Sequence, residues 1–319
     1  MRLASFTKRA GFTLAELLVS ITVLALVILF VMQMMEGASR VATASRKHLD
    51  ADAQARLIFD TLATDFSRMV RRGDVDFYGK DSSVGRTMTG NDQIAFYSVV
   101  TGYYSSPSPT ATPTLNQRNP ISLVAYTVSN DPSGRPQLVR LSKGLVWQAA
   151  NGFQDLGYLP LQIVNRWPNL FSPSSGSPPP TSGMADTDFE PIADSVLRFE
   201  YHYLLRSVPT AAPPRAARIS TAPFDDQITG HSSADFHTDV ASIVVTVAIL
   251  DPMGRAVVSD YSHVTSNQVF ADSNGSDMAP IWMGQVNALN FASNANLPQT
   301  AASVVRVYEH EFPFTSAGP

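Results

Sequence analysis

Apolar residues fall into two regimes along the chain. From Phe12 to Met35 they are almost unbroken, with Glu16 the only ionisable side chain among them. Further on, Ile58, Leu62, Phe66 and Met69 recur at spacings of four, four and three, the stripe of an amphipathic helix. No proline interrupts residues 41–70. The pattern predicts one long helix from about Thr13 to about Arg72. Its first half is apolar all round, and its second half has one greasy face that needs a sheet to cover it. Arg68, Arg71 and Arg72 suit the negative end of such a helix, and Gly73 can supply a left-handed cap.

After Gly73 the period shortens to that of strands. Residues 93–100, 121–128, 196–203 and 240–250 are rich in β-branched and aromatic side chains, and 240–250 is the strongest of the four. Asp131-Pro132-Ser133-Gly134 reads as a turn, with 137–141 returning as a hairpin partner. Asp251-Pro252-Met253-Gly254 has the same spacing and predicts a second turn into 256–258, and 304–308 closes the sheet. Stretches 105–120, 172–182, 208–214 and 271–280 read as surface loops, several of them rich in proline and serine. The expected fold is α+β, one domain with an N-terminal helix laid across an antiparallel sheet.

The apolar run is long enough to matter for a membrane. As a helix it measures roughly 36 Å, against a bilayer core of about 30 Å. Arg2, Lys8 and Arg9 precede it without an offsetting acid, which keeps the N-terminus cytoplasmic and sends the rest across. The run exceeds the apolar core of ordinary signal peptides. Ala42-Thr43-Ala44 offers a signal-peptidase site as the competing reading, giving a chain that starts at Ser45. A charge deep in a bilayer costs on the order of 2.5–3.5 kcal/mol and usually has a partner or a function. Glu16 stands near the head of the run, five residues after a Gly-Phe junction.

Gly11-Phe12-Thr13-Leu14-Ala15-Glu16-Leu17-Leu18-Val19 resembles the class III signal of type IV pilins and type II secretion pseudopilins. The long remainder is most similar to minor pseudopilins of the J type and to the prepilin-like cassette proteins of Verrucomicrobia, especially their C class. The resemblance implies cleavage by a prepilin peptidase after Gly11, N-methylation of Phe12, and a role for Glu16 in assembly. It divides the chain into a leader (1–11), a membrane helix (12–35), an amphipathic continuation (36–72) and a pilin-like β-rich domain (73–319). Cleavage frees an amine on Phe12. In a bundle of such helices Glu16 of one subunit could pair with that amine on its neighbour, and two charges in low dielectric select register. The expected function is a minor pilin or pseudopilin subunit. It sits first in the inner membrane, with the globular domain periplasmic, and then in a periplasmic or extracellular filament, at or near its tip. Its partners are other such subunits and the peptidase. The alternative is a single-pass anchored binding protein or enzyme with a look-alike anchor.

Composition narrows the chemistry. The 319 residues include no cysteine, so disulfides and thiolate chemistry are excluded. Formal charge is −4 for the chain and +3 in the leader, hence −7 without it. That balance argues against nucleic acid as the partner. His231, Asp235, His237 and Asp239 cluster without matching a metal motif and read as a polar loop. Asp272, Asn274, Gly275 and Asp277 resemble a calcium loop in composition but lack its closing glutamate. Asp272 and Asp277 are nevertheless the calcium candidates, because some pseudopilins bind calcium in a late loop. Tyr103, Tyr104, Trp147, Trp167 and Trp282 are read as core or rim rather than as a stacking platform. No nucleophile elbow and no phosphate loop occurs, so neither an enzyme nor a cofactor is expected.

Overall fold

The computed structural model describes residues 13–71, 78–79, 91–102, 121–144, 189–207, 216–220, 239–264, 269–272 and 275–314. It comprises two units, Met1–Leu49 and Asp50–Pro319. The first helix, α1, runs Leu14–Ser67. In the first unit its residues 14–38 are exposed throughout, and Leu14–Ala38 is long and apolar enough to cross a membrane.

In the second unit, the end of α1 buries Ala51, Ala55, Ile58, Leu62 and Phe66, with Met69 just beyond it. This is the stripe that the spacing predicts. The helix stops at Ser67, earlier than the arginines suggest, and no basic residue lies in its last turn. The chain straightens there because a strand takes over its hydrogen bonds. The Val99 N–H donates to the Arg68 carbonyl at 2.9 Å, and the Val70 N–H donates to the Tyr97 carbonyl at 2.8 Å. Arg72 and Gly73 lie outside the described residues.

The strands form two antiparallel sheets rather than the single one expected. The first has the order β1-β2-β3-β4-β5, comprising Tyr78–Gly79, Ile94–Ser98, Ser122–Asn130, Pro136–Gly144 and Glu190–Asp194. The second, in the order β7-β6-β8-β9, comprises β6 Val196–Leu205, β7 Arg218–Ser220, β8 Val240–Leu250 and β9 Val305–Pro313. One residue divides them. Ser195, between β5 and β6, adopts φ 58°, a left-handed conformation that a non-glycine residue seldom takes. That kink sends the chain from one sheet into the other.

The sheets are tied by side chains as well as by packing. Residues 91–93 run along the β6 edge in place of a strand. Asn91 Oδ1 accepts from the Phe199 N–H at 2.7 Å, and Asp92 Oδ2 accepts from the Tyr201 N–H at 3.0 Å. The Tyr201 hydroxyl donates to the Gln93 carbonyl at 2.9 Å. Between the sheets and α1 lies the main core, built on Ile58, Phe66, Phe96, Tyr126, Phe199 and Val245, among others.

The two Asp-Pro-x-Gly sequences diverge at their glycines. Asp131 Oδ1 accepts from the Ser133 and Arg135 N–H groups. Gly134 then turns left-handed at φ 79°, and β4 pairs with β3 as predicted. Gly254 does not join the positive-φ glycines. It is packed so tightly that a Cβ there would lie 2.6 Å from Leu250 and 2.7 Å from Val304. Asp251 Oδ1 accepts from the Met253 N–H at 2.8 Å and Pro252 fills the first helical position, so the chain continues as a helical turn, α2 Pro252–Arg255, and residues 256–258 are not a strand. The partner of β8 is β9, after an insertion holding α3 Met278–Val286, α4 Phe291–Asn294 and α5 Gln299–Ala302. Met278–Pro280, expected in a loop, open α3.

This insertion covers the second face of the β6-β8-β9 sheet with its own core of Trp282, Phe270, Phe291 and Leu297 against Leu197, Ala248 and Leu250. Both faces of β8 are thus buried, which explains its near-continuous apolar sequence. It also explains β6, whose alternation suggests a half-buried strand but whose Arg198, Glu200 and His202 are all buried. Arg198 donates to Glu200 at 2.6 Å and also pairs with Asp272.

Candidate functional site at the head of the apolar helix

Thr13 and Glu16 begin α1 as a reciprocal cap. The Thr13 N–H and hydroxyl each donate to Glu16 Oε2 at 3.0 Å, and Thr13 Oγ1 accepts from the Glu16 N–H at 3.3 Å. A helix leaves its first N–H groups without internal partners, and Thr-x-x-Glu satisfies two of them at once. Ser20 adds a hydroxyl bond to the Glu16 carbonyl at 2.7 Å. The one acid of the run is therefore satisfied within its own chain, at the end where the helix dipole favours negative charge. The Thr-x-x-Glu spacing is a sequence signature of a capping box, which the expected roles of Glu16 leave out. Gly11 and Phe12 lie outside the described residues.

Glu16 thus has a satisfied position within the first turn of α1. The carboxylate still has lone pairs to accept from a further cation. A further cation could therefore be added to the cap or exchanged for it.

The other sequence candidates sit in the second unit. Asp272 is the ion-pair partner of Arg198. Asp277 is the N-cap residue of α3, but its side chain makes no capping bond. That work falls to Glu309 of β9, which accepts from the Ala279 N–H at 3.2 Å and from the Thr246 hydroxyl at 2.8 Å. Asp272 and Asp277 share one loop, yet each faces a different partner. No group of three or more His, Asp or Glu side chains suited to a metal occurs among the described residues. Asp239 is described, and its carbonyl accepts from the Arg206 N–H at 2.7 Å. His231, Asp235 and His237 lie outside the described residues, as do Tyr103, Tyr104, Trp147 and Trp167. Trp282 is fully buried, and its indole N–H donates to the Ala271 carbonyl at 2.9 Å.

Glu309 gives this region a pH dependence. Burial pushes its carboxyl up, the Thr246 hydroxyl draws it back, and the Asp277 carboxyl beside it pushes it up again. Its net pKa in the folded chain is raised. The folded state then holds the proton more tightly than the unfolded chain does. This contribution to stability is complete below the ordinary glutamate range and is lost as pH rises through the raised value. Glu309→Gln should remove that dependence. Wild-type stability relative to Glu309→Gln is expected to fall as pH rises from the ordinary glutamate range through neutrality in paired thermal melts, and a constant difference would contradict the assignment.

Residues 6–32 match the family model described as the prokaryotic N-terminal methylation motif. No curated protein and no solved structure matches the chain.

Proposed function

We propose that this type IV prepilin-like protein is a minor pilin or pseudopilin subunit. It is cleaved between Gly11 and Phe12, methylated on Phe12, held in the inner membrane by α1, and drawn into a type II secretion or pilus-like filament at or near its tip. The observation that carries the reading is the conjunction at the head of α1. The methylation motif at residues 6–32, an exposed apolar span from Leu14 to Ala38 and one capped glutamate overlap at the N-terminal end of the chain. An apolar helix exposed along its length needs lipid or other helices around it. A bundle of like helices supplies the second once the subunit leaves the membrane.

In this reading Glu16 keeps its Thr13 cap in the membrane-held subunit. On assembly it takes the Phe12 amine of an adjacent subunit as its cation. Paired charges in a dry bundle fix one axial offset, because every other offset leaves both charges unpaired. The domain from Asp50 onward then works mechanically and by recognition, facing other subunits or an exported protein, and calls for no cofactor. Its size and insertions suit a specialised position better than the repeating shaft, where bulk would crowd a thin helical fibre.

Processing is the gate. Gly11→Asp should leave the chain inserted as an uncleaved precursor and reduce its incorporation with other prepilin-like subunits to background. That outcome is read by the mobility of the chain and by its presence in the sheared filament fraction. An uncleaved Gly11→Asp chain incorporated like the wild type would overturn the proposal and favour a plain membrane anchor.

A further inference from the structure

We infer that the outer edge of β9 is a docking site for an extended, basic segment of another protein, which joins the second sheet as one more strand. The site does not depend on the subunit role above, since an anchored binding protein would use the same edge. Its basis is the phase of the hydrogen bonds. β9 ends its sheet and pairs with β8 from Val305 to Pro313 without a bulge. Just beyond that ladder the Phe314 N–H donates to the Ala241 carbonyl at 2.8 Å, and the Asp251 N–H donates to the Val304 carbonyl at 3.5 Å. Both bonds keep the ladder's register, and antiparallel bonding alternates along a strand. The even-numbered residues of β9 therefore bond to β8. Val307, Glu309 and Glu311 turn their N–H and C=O groups outward, and among the described residues these groups have no hydrogen-bond partner.

Proteins usually shorten, bulge or cover such an edge, because it invites foreign strands. The other described sheet edges follow that rule. β1 is two residues long and β7 three, and β5 holds Pro191 opposite a shift of register with β4. β9 is nine residues long, and its one proline, Pro313, is its last residue.

The edge specifies its occupant. A row of alternating backbone donors and acceptors is matched by an extended polypeptide. Glu311 is exposed, shares a face with Glu309, and has no cationic partner among the described residues. A lysine or arginine directly opposite it is favoured across strands, and an acid there is repelled. On the other face the half-buried Phe59 of α1 meets His310 at 5.4 Å and Phe312 at 6.3 Å between ring centroids, so the adjoining residue of the incoming strand is apolar. The occupant thus alternates basic and apolar residues. A second copy of β9 does not meet this demand. In antiparallel pairing an outward residue faces another outward residue, and those of β9 are Val305, Val307, Glu309, Glu311 and Pro313. No register brings Arg306 opposite Glu311.

The probe is a capped peptide, Val-Lys-Val-Lys-Val, added to the full-length chain in uncharged detergent. It should bind and slow amide exchange at Val307, Glu309 and Glu311. Glu311→Pro removes one outward N–H and no bond to β8, an edge position that accepts proline. Its thermal midpoint should therefore match the wild type, while affinity for the peptide falls about tenfold, the scale of one or two lost backbone hydrogen bonds. His310→Pro removes an N–H that bonds to β8 and should lower the midpoint, which checks the phase. The peptide Pro-Lys-Pro-Lys-Pro has the same charge but no N–H on its prolines, and it should leave the edge unprotected. No binding of the valine peptide, equal binding by Glu311→Pro, equal protection by the proline peptide, or an unchanged midpoint for His310→Pro would overturn the inference. So would a dimer of the chain alone that Glu311→Pro dissociates, since the occupant would then be a second copy.

Discussion

Asp65→Ala is expected to destabilise the domain by about 3 kcal/mol, the scale of breaking a buried ion pair by removing one partner. Asp65 is 1 % exposed and lies on the inner face of α1. Its two oxygens take the Arg140 Nε and Nη2 groups of β4 at 2.7 and 2.9 Å, and the Tyr126 hydroxyl of β3 bonds to the same carboxylate. Burial, and then the neighbouring Asp65 charge, hold the Tyr126 phenol well above its usual value, so it stays a donor. Alanine leaves a guanidinium and a phenol without this acceptor, next to a new cavity. For a unit of this size the thermal midpoint should fall by roughly 6–12 °C.

A comparison on the same helix tests the cause. Asp52 accepts one hydrogen bond among the described residues, from the Tyr308 hydroxyl at 2.6 Å, and both residues are half-buried. Asp52→Ala should therefore cost only about 1 kcal/mol, the net value of an ordinary hydrogen bond. Equal losses for the two variants, measured by melting the full chain in detergent, would show that the Asp65 contacts do not clamp α1 to the first sheet.

Glu16→Ala should leave insertion into the membrane intact and lower incorporation about a hundredfold, the factor that an uncompensated charge at bilayer depth represents. The alanine variant keeps every apolar residue of the span, so resistance to alkaline extraction should not change. The lost cap is replaced at the membrane surface by water and headgroups. Loss of the carboxylate leaves the neighbour's terminal amine without its counter-charge in the dry bundle. Normal recovery of Glu16→Ala with its companion subunits would remove the pairing from the account and leave only the cap.

The helix, the α+β class and most strands were legible because each rests on local periodicity. The apolar run, the 58–62–66–69 stripe and the 240–250 strand all have their counterparts in the structure. Long-range closure decided what was not legible. Ser195 divides the strands into two sheets without a glycine to announce it. Gly254 sits in the same tetrapeptide frame as Gly134 but lies in a helical turn, and the close approach of Leu250 and Val304, fixed by distant packing, leaves no room there for a side chain. The helices of the insertion are short and uncharged, so they lack both a long period and the charged ends that mark helix termini. At the head of α1 the acid was legible from its isolation. Its threonine partner needed only the capping-box spacing.

The account stands on the mature N-terminus, and intact mass of the chain purified from its native host measures it directly. A chain beginning at Phe12 and heavier by one methyl group is the predicted result. A chain beginning at Ser45, or one retaining Met1 to Gly11 while working in the assembled filament, would contradict it.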